Sequence, residues 1–165
     1  MKEINFKNSV EYLNKLRSTF YIMVGIPLVL FLLIYLVFRE NMYTAIYPEM
    51  PTAIIKILAA LFVIAAILSF IYYFRELPQV RNRKTLKEKL AQYYRLCNYK
   101  FGMLLIISML NLICYFLSGH VLLAGVYILL LIMFALNNPS YYNVVGNLKL
   151  RKEEREIMKN NSIIA

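Results

Sequence analysis

The sequence has no tryptophan, one histidine and two cysteines, and its nine acidic residues face nineteen Lys and Arg. Each shortage closes a route. A lone His120 with no ligating neighbours is not a metal site, because a structural zinc takes four protein ligands. Cys97 and Cys114 fall on what reads as one helical run, roughly 25 Å apart. A disulfide needs Cα atoms within about 7 Å, so membrane thiol-redox chemistry is disfavoured. No Asp or Glu lies deep in an apolar stretch, whereas proton-coupled transporters commonly relay protons through such a carboxylate. HExxH, GxSxG, a phosphate-binding glycine loop and a Cys cluster are all missing. The sequence therefore leads us to expect no catalytic residue, no cofactor and no metal ligand.

What is abundant is apolar. The chain of 165 residues is 61% hydrophobic, with a mean hydropathy of +0.57, against roughly 45–50% apolar in soluble domains. A domain this small has too little interior to hide that surface. The apolar residues are also gathered into uncharged stretches at 18–38, 57–74, 101–119 and 121–138. About 20 apolar residues cross the hydrocarbon core of a bilayer. The first stretch is longer than a signal-peptide core and has no small-residue cleavage site before Arg39, so we expect a retained span.

The cations alternate between segments. Lys2, Lys7, Lys15 and Arg17 precede the first stretch, and only Arg39 and Lys56 lie between the first and second. Arg75, Arg81, Arg83, Lys84, Lys87, Lys89, Arg95 and Lys100 lie between the second and third, none between the third and fourth, and Lys149, Arg151, Lys152, Arg155 and Lys159 follow the fourth. This rich–poor alternation is the positive-inside pattern. It accounts for the basic run RELPQVRNRKTLKEKL (75–90) without nucleic acid, for which no recognition motif is present. The natural partner of this charge is a bilayer with anionic headgroups, at about 1 kcal/mol per cation near the surface.

The expected fold is an all-α integral membrane protein forming a single domain. Four transmembrane helices run over approximately 19–38, 52–74, 101–118 and 121–137, with both termini cytoplasmic, a cytoplasmic loop at 75–100 and a cytoplasmic tail at 138–165. Two short amphipathic helices, 8–20 and 84–99, are expected to lie at the interface. Asn8 and Glu11 have capping-box spacing, and Leu86, Leu90, Tyr93 and Cys97 recur at helical spacing. Pro78 and Pro139 are expected to break the chain after the second and fourth spans, and Gly25 with Pro27 to kink the first. Gly146 suggests a turn, and Leu150 to Met158 a short helix with Lys149–Glu153 and Lys152–Glu156 pairs. Tyr21, Tyr72, Tyr73, Tyr99, Tyr141 and Tyr142 are expected at the cytoplasmic boundary, and Tyr43 and Tyr47 at the outer one. An offset of 80 residues pairs Leu16 with Leu96 and Tyr35 with Tyr115, but apolar matches come cheaply and support a duplication only weakly.

Polar residues at membrane depth are functional candidates. Lys56 qualifies, although its stem can reach back to the interface. Ser108, Asn111 and Tyr115 share one face of the third span, where a buried Asn needs a partner on another helix. Ala59, Ala60, Ala65, Ala66 and Ser69 read as a close-packing seam. Arg81, Arg83, Lys84, Lys87, Arg151, Lys152 and Arg155 are candidates for an interaction surface. Three functional classes fit, in this order. The first is a non-enzymatic membrane adaptor or accessory subunit, with another membrane subunit or a soluble cytoplasmic protein as partner. The second is a small channel or carrier assembled as a homo-oligomer, a membrane-disrupting effector included. The third is a lipid-modifying enzyme, for which only cytoplasmic-face glutamates such as Glu76 and Glu88 are available. The short loops and the charge rule fit a bacterial inner membrane.

Overall fold

A computed structural model describes Phe6 and residues 8–40 and 44–160. These residues form six α-helices and no strand: α1 (Ser9–Arg39), α2 (Thr52–Arg81), α3 (Leu86–Ser118), α4 (Val121–Leu136), α5 (Tyr141–Leu148) and α6 (Lys152–Lys159). α1, α2 and α3 are each long and apolar enough to cross a membrane. α4 reaches that length only together with α5, from which it is bent by 79°. The chain thus carries three candidate spans, or four if the bent pair counts as one.

The two expected interfacial helices are not separate elements. Residues 8–20 supply the first turns of α1, and most of 84–99 supplies the first turns of α3. No proline or glycine stands between Ser9 and Val24 or between Leu86 and Phe101. The backbone ladder therefore continues, and an extra pair of helix ends with their orphan N–H and C=O groups is avoided. Both starts are capped: Asn8 Oδ1 accepts from the Glu11 N–H at 2.9 Å, and Thr85 Oγ1 from the Glu88 N–H at 3.2 Å. The short helices are instead α5 and α6. Pro78 does not break α2, which runs on to Arg81. It removes one donor less than a turn from the helix end, and its own carbonyl accepts from the Asn82 N–H at 3.2 Å. Pro27 likewise sits inside an unbroken α1. Gly146 lies within α5, and the chain turns at Lys149, which is left-handed with φ 49°. Tyr43, Lys2 and Lys7 lie outside the described residues.

The helices divide into two compact units. One comprises Met1–Tyr21, Ile71–Lys100 and Asn138–Ala165; the other comprises Ile22–Phe70 and Phe101–Asn137. We call them the polar and the apolar unit. In the apolar unit α2 buries Ile55, Ala59, Phe62 and Ala66, spaced along one helical face. The two alanines let a neighbouring helix approach closely. α4 buries Leu123, Val126, Tyr127, Leu130 and Phe134, and Phe31 of α1 stacks on Tyr127 at 4.5 Å between ring centroids. Of the three long helices α1 is the least covered: 11% of its most apolar window is buried, against 44% for α3. Ile22, Ile26, Val29 and Leu33 all face outward, which suits hydrocarbon as the solvent. α3 ends at Gly119, where φ is +64° and an added Cβ would meet the Ala45 side chain at 3.3 Å. His120 then caps α4, its Nδ1 accepting from the Leu122 N–H at 3.2 Å, so α3 and α4 follow each other through a tight turn.

Candidate functional site

The predicted intramembrane candidates fall into two environments. Lys56 is exposed near the start of α2. Ser108, Asn111 and Tyr115 lie three and four residues apart on one buried face of α3. Asn111, 0% exposed, donates Nδ2–H to the Leu123 carbonyl of α4 at 3.0 Å. Tyr115 packs between Phe31 and Phe38, with ring centroids 6.1 and 5.4 Å away. The Ser108 hydroxyl and Asn111 Oδ1 are buried with no hydrogen-bond partner, as is Ser69 Oγ of α2. The polar face of α3 is thus enclosed by protein within the apolar unit.

The seven cations predicted to form an interaction surface split into two groups. Three are committed to structure. Arg81 Nε–H donates to the Asn147 carbonyl of α5 at 2.6 Å, Arg83 Nε–H to Gln92 Oε1 at 2.9 Å, and Arg155 Nε–H to the Leu150 carbonyl at 2.8 Å. Lys84, Lys87, Arg151 and Lys152 stand exposed.

The centre of the polar unit escaped sequence reasoning. Tyr12 of α1, Tyr73 of α2, and Tyr93, Tyr94 and Cys97 of α3 are all buried. The Tyr73 hydroxyl donates to that of Tyr93 at 3.2 Å, and Asn147 Nδ2–H of α5 donates to Tyr93 at 2.9 Å. Phe6 packs edge-on to Tyr12 and Tyr94, at 4.9 and 5.5 Å. Tyr73 had the sequence signature of an interface tyrosine, yet it is 2% exposed, while its neighbour Tyr72 is 43% exposed. Adjacent helical residues point about 100° apart, so one faces the core and the other does not. The signal that could have found the cluster is spacing: Tyr93 and Cys97 already stood on the apolar face of their helix.

Two lysines are also interior. Lys100, 3% exposed, holds its ammonium 3.9 Å from the centroid of the Tyr73 ring, a cation–π arrangement. Burial pulls Lys100 down to about 8, partly opposed by Cys97. Burial pushes the Cys97 thiol up to about 11, against the influence of Lys100. A neutral buried thiol is a poor nucleophile. Lys89 pairs with Glu154 of α6 at 2.6 Å. The second carboxylate oxygen of Glu154 accepts from the Arg151 N–H at 2.8 Å, capping α6. Burial acts to raise the Glu154 carboxyl, but the bonds from Lys89 and Arg151 prevail and hold it below the ordinary glutamate value. The tail's ion pair therefore crosses to α3, whereas the expected Lys149–Glu153 and Lys152–Glu156 pairs are not formed.

Among the described residues no group of three or more His, Cys, Asp and Glu gathers to hold a metal ion. No protein-family model matches the chain, and no curated protein or solved structure matches it either.

Proposed function

We propose that this chain is a multi-pass membrane protein acting as a non-enzymatic adaptor or accessory subunit. Its polar unit would lie on the cytoplasmic side and offer a basic surface to another membrane subunit or to a soluble partner. The observation that carries this reading is that residues 141–159 of the tail are folded rather than loose. α5 is tied to α2 through Arg81–Asn147 and to α3 through Tyr93–Asn147, and α6 is tied to α3 through Lys89–Glu154. Lys84, Lys87, Arg151 and Lys152 are therefore carried on an ordered frame, and a preorganised surface loses less entropy on binding than a flexible one. The alternation of Lys and Arg supports the assigned side. Enclosure of Ser108 and Asn111 speaks against the pore reading, because it leaves no polar stripe on α3 to line a path between copies.

Affinity purification from native membranes tests the adaptor. A stoichiometric partner is expected, with recovery reduced when Lys84, Lys87, Arg151 and Lys152 are changed together to Gln; repeated recovery of the chain alone removes the proposal. The sidedness has its own test. Reporters fused after residue 160 should read cytoplasmic, and reporters inserted at 44–51 should not.

A further inference from the structure

We propose that a groove in the polar unit, formed by the end of α2 and the start of α3, binds the phosphate of an anionic phospholipid. The groove has a volume of about 370 Å³, within the usual range for small-ligand sites. Its walls are two helical stripes. Tyr72, Glu76, Gln79 and Val80, followed by Arg83 just past the end of α2, form one wall; Gln92, Arg95, Leu96 and Tyr99 of α3 form the other. Spacings of three, four and seven put each set on one side of its helix.

The chemistry is graded along the groove. At one end Tyr72 and Tyr99 meet, with ring centroids 4.8 Å apart. Beyond them both helices run uncharged and mostly apolar, α2 back to Ile57 and α3 from Phe101 to its end. Tyrosine with an apolar body and a polar tip suits the depth of lipid headgroups. At the other end Gln92 Oε1 accepts from Arg83 Nε–H at 2.9 Å. That bond holds the guanidinium while leaving its terminal N–H groups for a ligand. Arg95 is exposed on the opposite wall. Two guanidinium forks are the side chains best shaped to take phosphate oxygens, and Gln79 and Gln92 can add amide donors. Glu76 is the single carboxylate on the lining. It leaves the groove with a net charge of one positive, which matches the single negative charge of a phosphodiester. The apolar run beyond the tyrosines favours a lipid over a soluble phosphate, since only a lipid has chains to place there.

The assignment rests on the membrane-protein reading above but not on the adaptor role. The test is native mass spectrometry of the full chain in detergent, with phosphatidylglycerol or phosphatidylcholine of matched acyl chains. The wild-type chain should retain phosphatidylglycerol preferentially. R83Q/R95Q should weaken that retention by about thirtyfold, at about 1 kcal/mol per cation. K84Q/K87Q makes the same charge change outside the groove and should cost about threefold or less. E76Q should strengthen retention by about threefold, and it provides a readout even if the arginine variant misfolds. Equal losses in the two double variants, equal retention of the two lipids, or an indifferent E76Q would each overturn the site. Inorganic phosphate should leave the lipid bound relative to chloride at the same ionic strength; displacement by phosphate would reassign the groove to a soluble ligand and overturn the lipid. A chain that fails to partition into membranes sinks the membrane reading itself. A chain that partitions but shows no lipid preference sinks only the groove.

Discussion

The polar and apolar units bury their interiors in opposite ways. The apolar unit packs small and aliphatic side chains, such as Ala59, Ala66, Leu104 and Leu130, and leaves most of α1 uncovered. The polar unit is knit by hydroxyls, a thiol, amides and two lysines. In lipid the apolar effect does not drive helices together, so close packing and a few hydrogen bonds must serve. Wherever such a unit stands in water, burial of side chains like Tyr12, Leu16, Leu90 and Met158 would itself be favourable, with hydrogen bonds offsetting the cost of the buried polar groups. Side-chain hydrogen bonds between helices are accordingly more numerous in the polar unit, although each unit keeps buried polar atoms without a partner, Tyr12 Oη and Asn98 Oδ1 in the polar one and Ser69 Oγ and Ser108 Oγ in the apolar one.

This contrast predicts where substitutions hurt. The largest effect should come from Lys89→Ala, which removes the Glu154 carboxylate's charged partner in a part-buried position and should cost about 2 kcal/mol. Hydrogen exchange should rise through α5 and α6 with little change in 101–136; a uniform rise would dissolve the distinction between the units. Gly119→Ala should come next, at about 1–2 kcal/mol, because it combines positive φ with a close neighbour. Its thermal shift in detergent should be confined to the apolar unit.

A pH titration sharpens the comparison further, because Lys100 and Cys97 belong to the polar unit. Lys100 titrates near 8 when folded against 10.5 ordinarily, so the unfolded chain binds more protons and stability rises with pH in that window. Cys97 titrates near 11 when folded against 9.0, so the folded chain holds its proton longer and stability falls with pH above 9.0. The two contributions oppose each other. Melting temperature should climb between pH 8 and 9, by about 1 kcal/mol in stability, and then level off. Lys100→Met should abolish the climb and leave a decline above 9; Cys97→Ala should extend the climb instead. The smallest effect should be Asn111→Leu, at about 0.6 kcal/mol, the usual value of an interhelical hydrogen bond in a membrane. A loss as large as that of Lys89→Ala would mean that the two interiors do not differ as described.

The long apolar stretches, the all-helical class and the burial of Asn111 against another helix were legible because hydrophobicity and helical period are local signals. The polar core was not. Whether Tyr73 or Tyr72 turns inward depends on the phase of α2 against its neighbours, and the partner of Lys89 lies 65 positions away. Pro78 misled for a related reason. Its effect depends on distance from the helix end, and here the end is close enough that only one donor is lost. The groove residues Arg83 and Arg95 were visible as charge, but their convergence depended on α2 and α3 lying side by side.

One carboxylate serves two attachments at the tail. Glu154 anchors α6 to α3 with one oxygen and seals the first turn of α6 with the other. Anything that takes Glu154 away from Lys89 also weakens the helix that carries it. The folding of α6 and its tie to α3 are thereby coupled through one side chain, so a group competing for Glu154 would loosen both together.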